Sequence, residues 1–306
     1  MIIGPMIIGP TIIGPTARVL FTLDSGATLT LELVPLELQL DGTGGLGGHE
    51  RIAVSHDGAV DAEAEEDRGH DRIPKIEPAA ERIANLLQAH AWTANDLVPG
   101  KEVFITALPM YHIFALLANA LFAMQMGAKN RLITNPRDLP AFMKELSQEP
   151  FSFITGVNTL FNAMLHTPGF EKLDFSKLKI VLGGGMAVQR AVADPWQEVT
   201  GTTLLEAYGL TETSPAACIN PMDIEEFNGC IGLPISSTEG GIMDDGGNLL
   251  PQGEVGELVI RGPQVMKGYW QRPEETAKVI TEDGWLRTGD IALMTEDGFF
   301  KIVDRK

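Results

Sequence analysis

The chain is 306 residues long, 44% hydrophobic and 21% charged, with 41 acidic against 23 basic side chains and a formal charge of -18. That length suffices for a sizeable core or for two domains, and the acidic balance excludes non-specific nucleic-acid binding, which depends on Lys and Arg neutralising phosphates. Only Cys218 and Cys230 occur, without paired spacing or companion histidines, so a disulfide scaffold and a zinc centre are excluded and a reducing cytoplasm fits best.

In chain order, residues 1–15 are three near-copies of a pentapeptide ending in Gly-Pro, a low-complexity stretch that frequent proline bars from a helix. No basic region precedes it, which makes it a poor signal peptide. Val19 to Leu23, a turn at Asp24-Ser25-Gly26, and leucines alternating at Leu29, Leu31, Leu33 and at Leu36, Leu38, Leu40 predict a β-hairpin broken at Pro35. Asp57 to Asp71 is acidic and poor in apolar groups, the composition of a solvated linker. Composition changes near residue 82: every Trp, Tyr and Cys, and all Phe but Phe21, lie beyond it. Residues 1–82 are therefore expected to be an atypical region set apart from residues 83–306, which carry a β-rich subdomain from about 232.

From Ile83 the pattern is α/β. Ile83 to Ala91 has a helical apolar rhythm, Val103 to Ala107 is a short strand, Leu139 to Leu146 is amphipathic, and Phe151 to Ile154 and Ile180 to Leu182 read as buried strands. Ile113 to Met124 is too short to span a bilayer, is interrupted by Asn119, and reads as a buried helix. Past Gly232, alternation in Gly256 to Arg261 and turns at Asp244 to Gly247 and Glu296 to Gly298 predict β structure.

The run Tyr208-Gly209-Leu210-Thr211-Glu212-Thr213-Ser214 combines a ring that can cover a purine, a glycine that lets the backbone approach closely, phosphate-binding hydroxyls and a carboxylate for a hard cation. Its plain alternative is a polar turn closing a strand. The segments Leu108 to Phe114, Gly183-Gly184-Gly185-Met186, Gly256-Glu257-Leu258, Tyr269-Trp270, Gly284 to Asp290 and Ile302 to Lys306 accompany it in order. This string closely resembles the AMP-forming acyl-CoA synthetases, and Thr134 to Asp138 with Ile154 to Asn162 resemble the bacterial long-chain fatty acid–CoA ligases among them. The resemblance covers about residues 83 to 306.

The resemblance implies an α/β fold, the incomplete large domain of the adenylate-forming synthetases, with their C-terminal domain absent. It implies fatty acid, ATP and CoA as substrates, magnesium as the metal, and a two-step reaction through an acyl-adenylate. Glu212 would hold magnesium, Thr211 would touch phosphate, and Tyr208 would stack on adenine rather than serve as an ordinary core tyrosine. Asp290 would accept the ribose hydroxyls, where a turn-capping aspartate is the alternative, and Arg305 would either add a contact there or be a surface arginine. His112 would face the acyl carboxylate or gate its pocket, or else be a satisfied core histidine. Gly183, Gly184 and Gly185 would give close approach to adenine and acyl chain. Gly156, Val157 and Thr159, with Phe161, would line an acyl tunnel, although core packing is the default for such residues. Cytoplasmic residence follows, with peripheral contact at the inner membrane compatible with a fatty-acid substrate.

The sequence departs from the family pattern in one internal respect. The Gly/Ser/Thr-rich loop ending in Lys-Gly, which cradles the distal phosphates, has no counterpart; Thr43-Gly44-Gly45-Leu46-Gly47-Gly48 lacks the lysine and reads as a flexible loop. The chain stops at Lys306, ahead of the family's hinge and catalytic lysine, so negligible ligase activity is expected. Strands flanking Val103 to Ala107 are expected to lack partners unless residues 19 to 40 substitute, leaving exposed edges. Two alternatives stand beside the enzyme fragment: a non-catalytic interaction module that uses the synthetase part as scaffold, and a first region that is an unselected junction.

Overall fold

The computed structural model describes strands at 11–12, 17–22, 28–33 and 54–55, and residues 80–93 and 96–305. The chain divides into two compact units, residues 1–72 and 73–306. In the first, β1 (Thr11–Ile12), β2 (Ala17–Thr22), β3 (Thr28–Leu33) and β4 (Val54–Ser55) form an antiparallel sheet in sequence order. The expected hairpin is β2 with β3, in a register that pairs Val19 with Leu31 and Thr22 with Thr28. The leucines at 36, 38 and 40, the glycine run 43–48 and the acidic stretch 57–71 lie outside the described residues.

The second unit is mixed α/β. Its helix α1 (Ala80–Thr93) is followed by β5 (Val103–Thr106), β6 (Lys129–Leu132), β7 (Phe153–Gly156), β8 (Ile180–Gly183), β9 (Leu204–Gly209), β10 (Ala216–Ile219) and β11 (Leu233–Pro234). These strands make one sheet in the order β11-β10-β9-β8-β7-β5-β6, parallel from β6 through β9 and antiparallel at β10 and β11. Every residue of β7 and β8 is buried, as continuous apolar runs in a parallel sheet require. The crossovers carry α2 (Ile113–Ala115), a π-helical stretch Leu116–Leu121 and α3 (Phe122–Gln125), then α4 (Leu139–Leu146), α5 (Asn158–Leu165) and α6 (Arg190–Thr200). Asp138 starts α4 by accepting the Ala141 N–H at 3.1 Å, with Pro140 in the first turn.

Two expectations need correction here. The strands flanking 103–107 do not lack partners, because β6 pairs with β5, and β7 pairs with both β5 and β8. The sheet edge is β6 instead, and it is charged: Lys129 and Arg131 both reach Glu149 at 2.6 Å, which discourages edge-to-edge pairing. The segment read as one helix over 113–124 is divided by a π-helical stretch around Asn119.

Successive strand residues alternate between two cores, as a pleat of period two demands. Ile154 and Val181 pack with Phe142, Phe161, Met164 and Trp196 on one face, while Phe153, Ile180 and Leu182 pack with Phe104, Phe122 and Leu205 on the other. Helix α1 covers the second face through Leu86, Ala89 and Trp92. Beyond β11, the strands β12 (Glu239–Met243), β13 (Val255–Arg261), β14 (Leu286–Met294) and β15 (Phe300–Arg305) form an antiparallel sheet with its own core around Ile242, Leu258, Ile260 and Phe300, and α7 (Pro273–Val279) lies between β13 and β14.

Candidate functional site

The motif residues collect where an open parallel sheet places ligands, at the carboxyl ends of its strands. His112 follows β5, the glycine run Gly183 to Gly185 ends β8, and Tyr208-Gly209 ends β9. Gly209 is obligatory because a Cβ there would collide with the Pro215 carbonyl oxygen across the turn. Thr211 to Thr213 then form one 3-10 turn, closed by the Thr213 hydroxyl donating to the Leu210 carbonyl at 3.1 Å.

A cavity of about 290 Å³ opens among these segments. Its mouth holds exposed His112, Gly185 and Thr211 with half-buried Tyr208 and Glu212, and its floor is apolar: Leu117, Phe122, Phe153 and Leu182. Ala89, Trp92 and Thr93 of α1 close another wall. His112 is exposed rather than a core histidine, and its Nδ1 accepts the Phe114 N–H at 3.3 Å, capping α2. Gly184 leaves room for Phe114, whose ring a Cβ would meet at 3.1 Å.

Tyr208 and Asp290, 82 positions apart, meet at the mouth: the phenol donates to Asp290 Oδ2 at 2.6 Å. Burial, then the Asp290 carboxylate, pushes the Tyr208 phenol far above its ordinary range, so it remains a donor. Asp290 is itself buried and has the Arg305 guanidinium at 3.5 Å from Oδ1. The stretch of β14 ahead of it, which the sequence read as a turn, is anchored from β13, where Glu257 takes the Gly289 N–H at 3.0 Å and the Arg287 side chain at 2.9 Å. Gly289 adopts φ 77°, a left-handed conformation that glycine permits without strain.

A second cavity of about 420 Å³ shares Leu210 and Glu212 with the first and adds Lys278, Arg287, Thr288 and Arg305. Glu212 therefore stands where the two meet. Its Oε1 accepts the Tyr269 phenol at 2.9 Å, and burial with that carboxylate pushes Tyr269 up to about 12. One carboxylate beside open space suits magnesium, which takes one or two protein carboxylates and completes its octahedron with substrate phosphates and water.

The sequence-predicted residues thus divide. Tyr208, Thr211, Glu212, His112, Gly184 and Gly185 line the first cavity, Arg305 and Glu212 line the second, and Asp290 joins Tyr208 between them. Gly183 lines neither; it is packed where a Cβ would meet Val188 at 2.6 Å. Gly156, Val157 and Thr159 also lie off both cavities. Gly156 makes room for the Phe161 ring, which is buried against Trp196 at 4.8 Å between centroids, and Thr159 is exposed. Sequence reasoning missed Glu257 and Tyr269 as supports and Phe122 and α1 as walls, and it passed over a buried carboxylate off both cavities, Glu206. The last carries a legible signal, a carboxylate inside the apolar strand Leu204-Leu205-Glu206-Ala207.

The chain is 55% identical over 224 residues to a long-chain-fatty-acid–CoA ligase of Escherichia coli O6:H1, covering 73% of this chain and 40% of that protein. It is 36% identical over 225 residues to the enzyme of that name from Bacillus subtilis, with the same coverage. The chain thus spans about 40% of the length of the curated relatives it matches. Among solved structures, the ATP-bound chimera B3 of RpMatB and BxBclM superimposes with a TM-score of 0.65 at 26% identity, over 74% of this chain and 44% of that one. Apo MatB from Rhodopseudomonas palustris shares the fold with a TM-score of 0.68 at 24% identity, over 78% and 47%. The profile of the AMP-binding enzyme family matches residues 79–270, the stretch that carries α1, the parallel sheet and the Tyr208 turn, and the chain belongs to that family of adenylate-forming enzymes.

Proposed function

We propose that the chain holds the adenylate and acyl sites of a long-chain fatty acid–CoA ligase, which converts fatty acid, ATP and CoA to acyl-CoA, AMP and pyrophosphate through an acyl-adenylate. The observation that supports this reading most is one cavity running from Tyr208, tied to Asp290, to an apolar floor at Leu117, Phe122 and Phe153. A polar mouth above an apolar chamber matches a ligand with a nucleotide at one end and a hydrocarbon at the other.

On this reading the Tyr208 ring covers adenine, and Asp290, steadied by Tyr208 and Arg305, accepts the ribose hydroxyls. Gly184 and Gly185 admit the ligand by carrying no side chains. Exposed His112 orients the acyl carboxylate at the mouth, and Thr211 donates to a phosphate oxygen. Magnesium held by Glu212 would neutralise phosphate charge as the carboxylate attacks. Lys278, Arg287 and Arg305 along the second cavity, each held in an ion pair, offer donors to the departing polyanion beside the Glu212 and Glu257 carboxylates. The setting is the cytoplasm, in peripheral contact with the membrane that supplies fatty acids; among the described residues no helix is long and apolar enough to cross one.

These 306 residues contain no counterpart of the family's Lys-Gly phosphate loop. Losing such donors to the developing pyrophosphate costs several powers of ten in rate, so the purified polypeptide turns over palmitate, ATP and CoA negligibly. Acyl-CoA formation that Glu212→Ala abolishes would overturn that statement. Binding is tested apart from turnover: a non-hydrolysable palmitoyl-adenylate analogue raises Tm by mass action on the folded state, and an unchanged Tm at saturating analogue contradicts the site.

A further inference from the structure

The π-helical stretch Leu116–Leu121 is a rare geometry that interrupts α2 and α3, and its cause is on its inner side. Asn119 is fully buried and turned to the sheet, its Nδ2 donating to the Ile105 carbonyl at 3.3 Å and its Oδ1 accepting the Thr155 hydroxyl at 2.7 Å. Its backbone carbonyl accepts from Asn130 Nδ2. Asn130 is in turn fixed by the Thr106 hydroxyl, 2.7 Å from its Oδ1. A helical carbonyl engaged by a neighbouring side chain is drawn away from its ladder, and one added residue in the turn accommodates the diversion.

The outer side of the same turn is the chamber wall. The Phe122 N–H donates to the Leu117 carbonyl, five residues back, so Leu117 and Phe122 stack on one face. In an α-helix positions five apart would diverge by about 140°. Both line the cavity, with Ala118 between them. Phe122 also closes an aromatic trio, its ring 5.9 Å from Phe104 and 6.5 Å from Phe153, which themselves stack at 4.3 Å. Phe122 and Phe153 are each 2% exposed and lie at the buried end, opposite the His112 mouth. The enclosed 290 Å³ is at the lower limit of small-molecule sites, about 300 to 1,000 Å³.

We infer that Phe122 is the chain-length stop of the acyl chamber and that Asn119, through the π-helical turn it pins, is the positioning residue that holds the ring across the floor. The inference rests on the acyl-adenylate reading of this cavity. A chain growing from the mouth gains apolar burial with each methylene until its end meets the Phe122 ring, and longer chains gain nothing further.

The test is calorimetric titration of the full chain with acyl-sulfamoyl adenosines from octanoyl to octadecanoyl, for the wild type, F122A, F122L and N119L. Wild-type affinity climbs with chain length and then levels. In F122A the plateau moves to longer chains, raising affinity for the longest analogue about tenfold relative to octanoyl; F122L shifts it less and guards against a folding defect in the alanine variant. N119L shifts the plateau as well, which a merely structural role would not do even if Tm fell. A plateau at the same length in all variants overturns the inference while leaving the site standing. Failure of every analogue to bind, octanoyl included, overturns the site reading and the inference with it.

Discussion

Replacing Glu206 with glutamine should make the protein more stable, and by an amount that depends on pH. Glu206 sits on β9 at 6% exposure, its Oε1 accepting the Val188 N–H at 3.3 Å. Burial pushes its pKa from the ordinary 4.5 up to about 7, with the Val188 hydrogen bond opposing. The buried Cys230 thiol is near enough to feel the carboxylate and the Lys301 charge. Because the folded value is raised, folding favours the protonated carboxyl. That contribution is complete below pH 4.5, drains away as pH rises and is gone above about 7. The gap from 4.5 to about 7 corresponds to about 3 kcal/mol. Gln keeps the acceptor for Val188 without a charge to bury. Urea denaturation of wild type and E206Q at pH 5 and pH 8 measures it: the advantage of the variant should be about 2 to 3 kcal/mol larger at pH 8. Comparing the two pH values cancels the amide's own burial cost. Parallel pH dependences in the two proteins would refute the reasoning.

Two other substitutions report on the scaffold of the site. Glu257→Ala removes the carboxylate paired with the Arg287 guanidinium, which keeps its bond to the Asp244 carbonyl, and frees the Gly289 N–H, and should cost about 3 kcal/mol in urea denaturation, as breaking a buried ion pair does; a loss below about 1 kcal/mol would mean the pair is effectively solvated. Gly209→Ala drives a methyl into the Pro215 carbonyl, and should lower stability by about 3 kcal/mol or more or prevent folding; an unchanged urea midpoint contradicts the close backbone approach at that turn.

Much of the fold was legible because its signals are local. The apolar run at Ile180 to Leu182 is β8 almost as read, since a strand buried on both faces shows itself as continuous hydrophobicity. The run beginning at Phe151 is shifted to Phe153–Gly156, because Phe151 is buried in the approach to the strand and burial alone does not mark where pairing starts. The residues that line the cavities were legible as motifs, yet the Tyr208–Asp290 hydrogen bond that joins two of the motifs is purely tertiary. The π-helical turn was hidden for the same reason: Asn119 is pinned by Ile105, Asn130 and Thr155, which lie on three different strands. Gly156, Val157 and Thr159 lie off both cavities, because an apolar residue after a strand can face a core or a cavity, and here Gly156 makes room for the Phe161 ring packed on Trp196. The pairing of the strands beside β5 was missed because β6 and β7 come from later in the chain rather than from ahead of β5.

The central claim is that the Tyr208 turn and Asp290 form a working adenylate pocket. Isothermal calorimetry with a stable palmitoyl-AMP analogue, on wild type and Asp290→Ala, tests it most directly. Micromolar binding that the substitution weakens by about tenfold or more, the worth of hydrogen bonds to a charged group, is the predicted result. Absence of binding heat in the wild type at several temperatures, or equal affinity in both proteins, would contradict it.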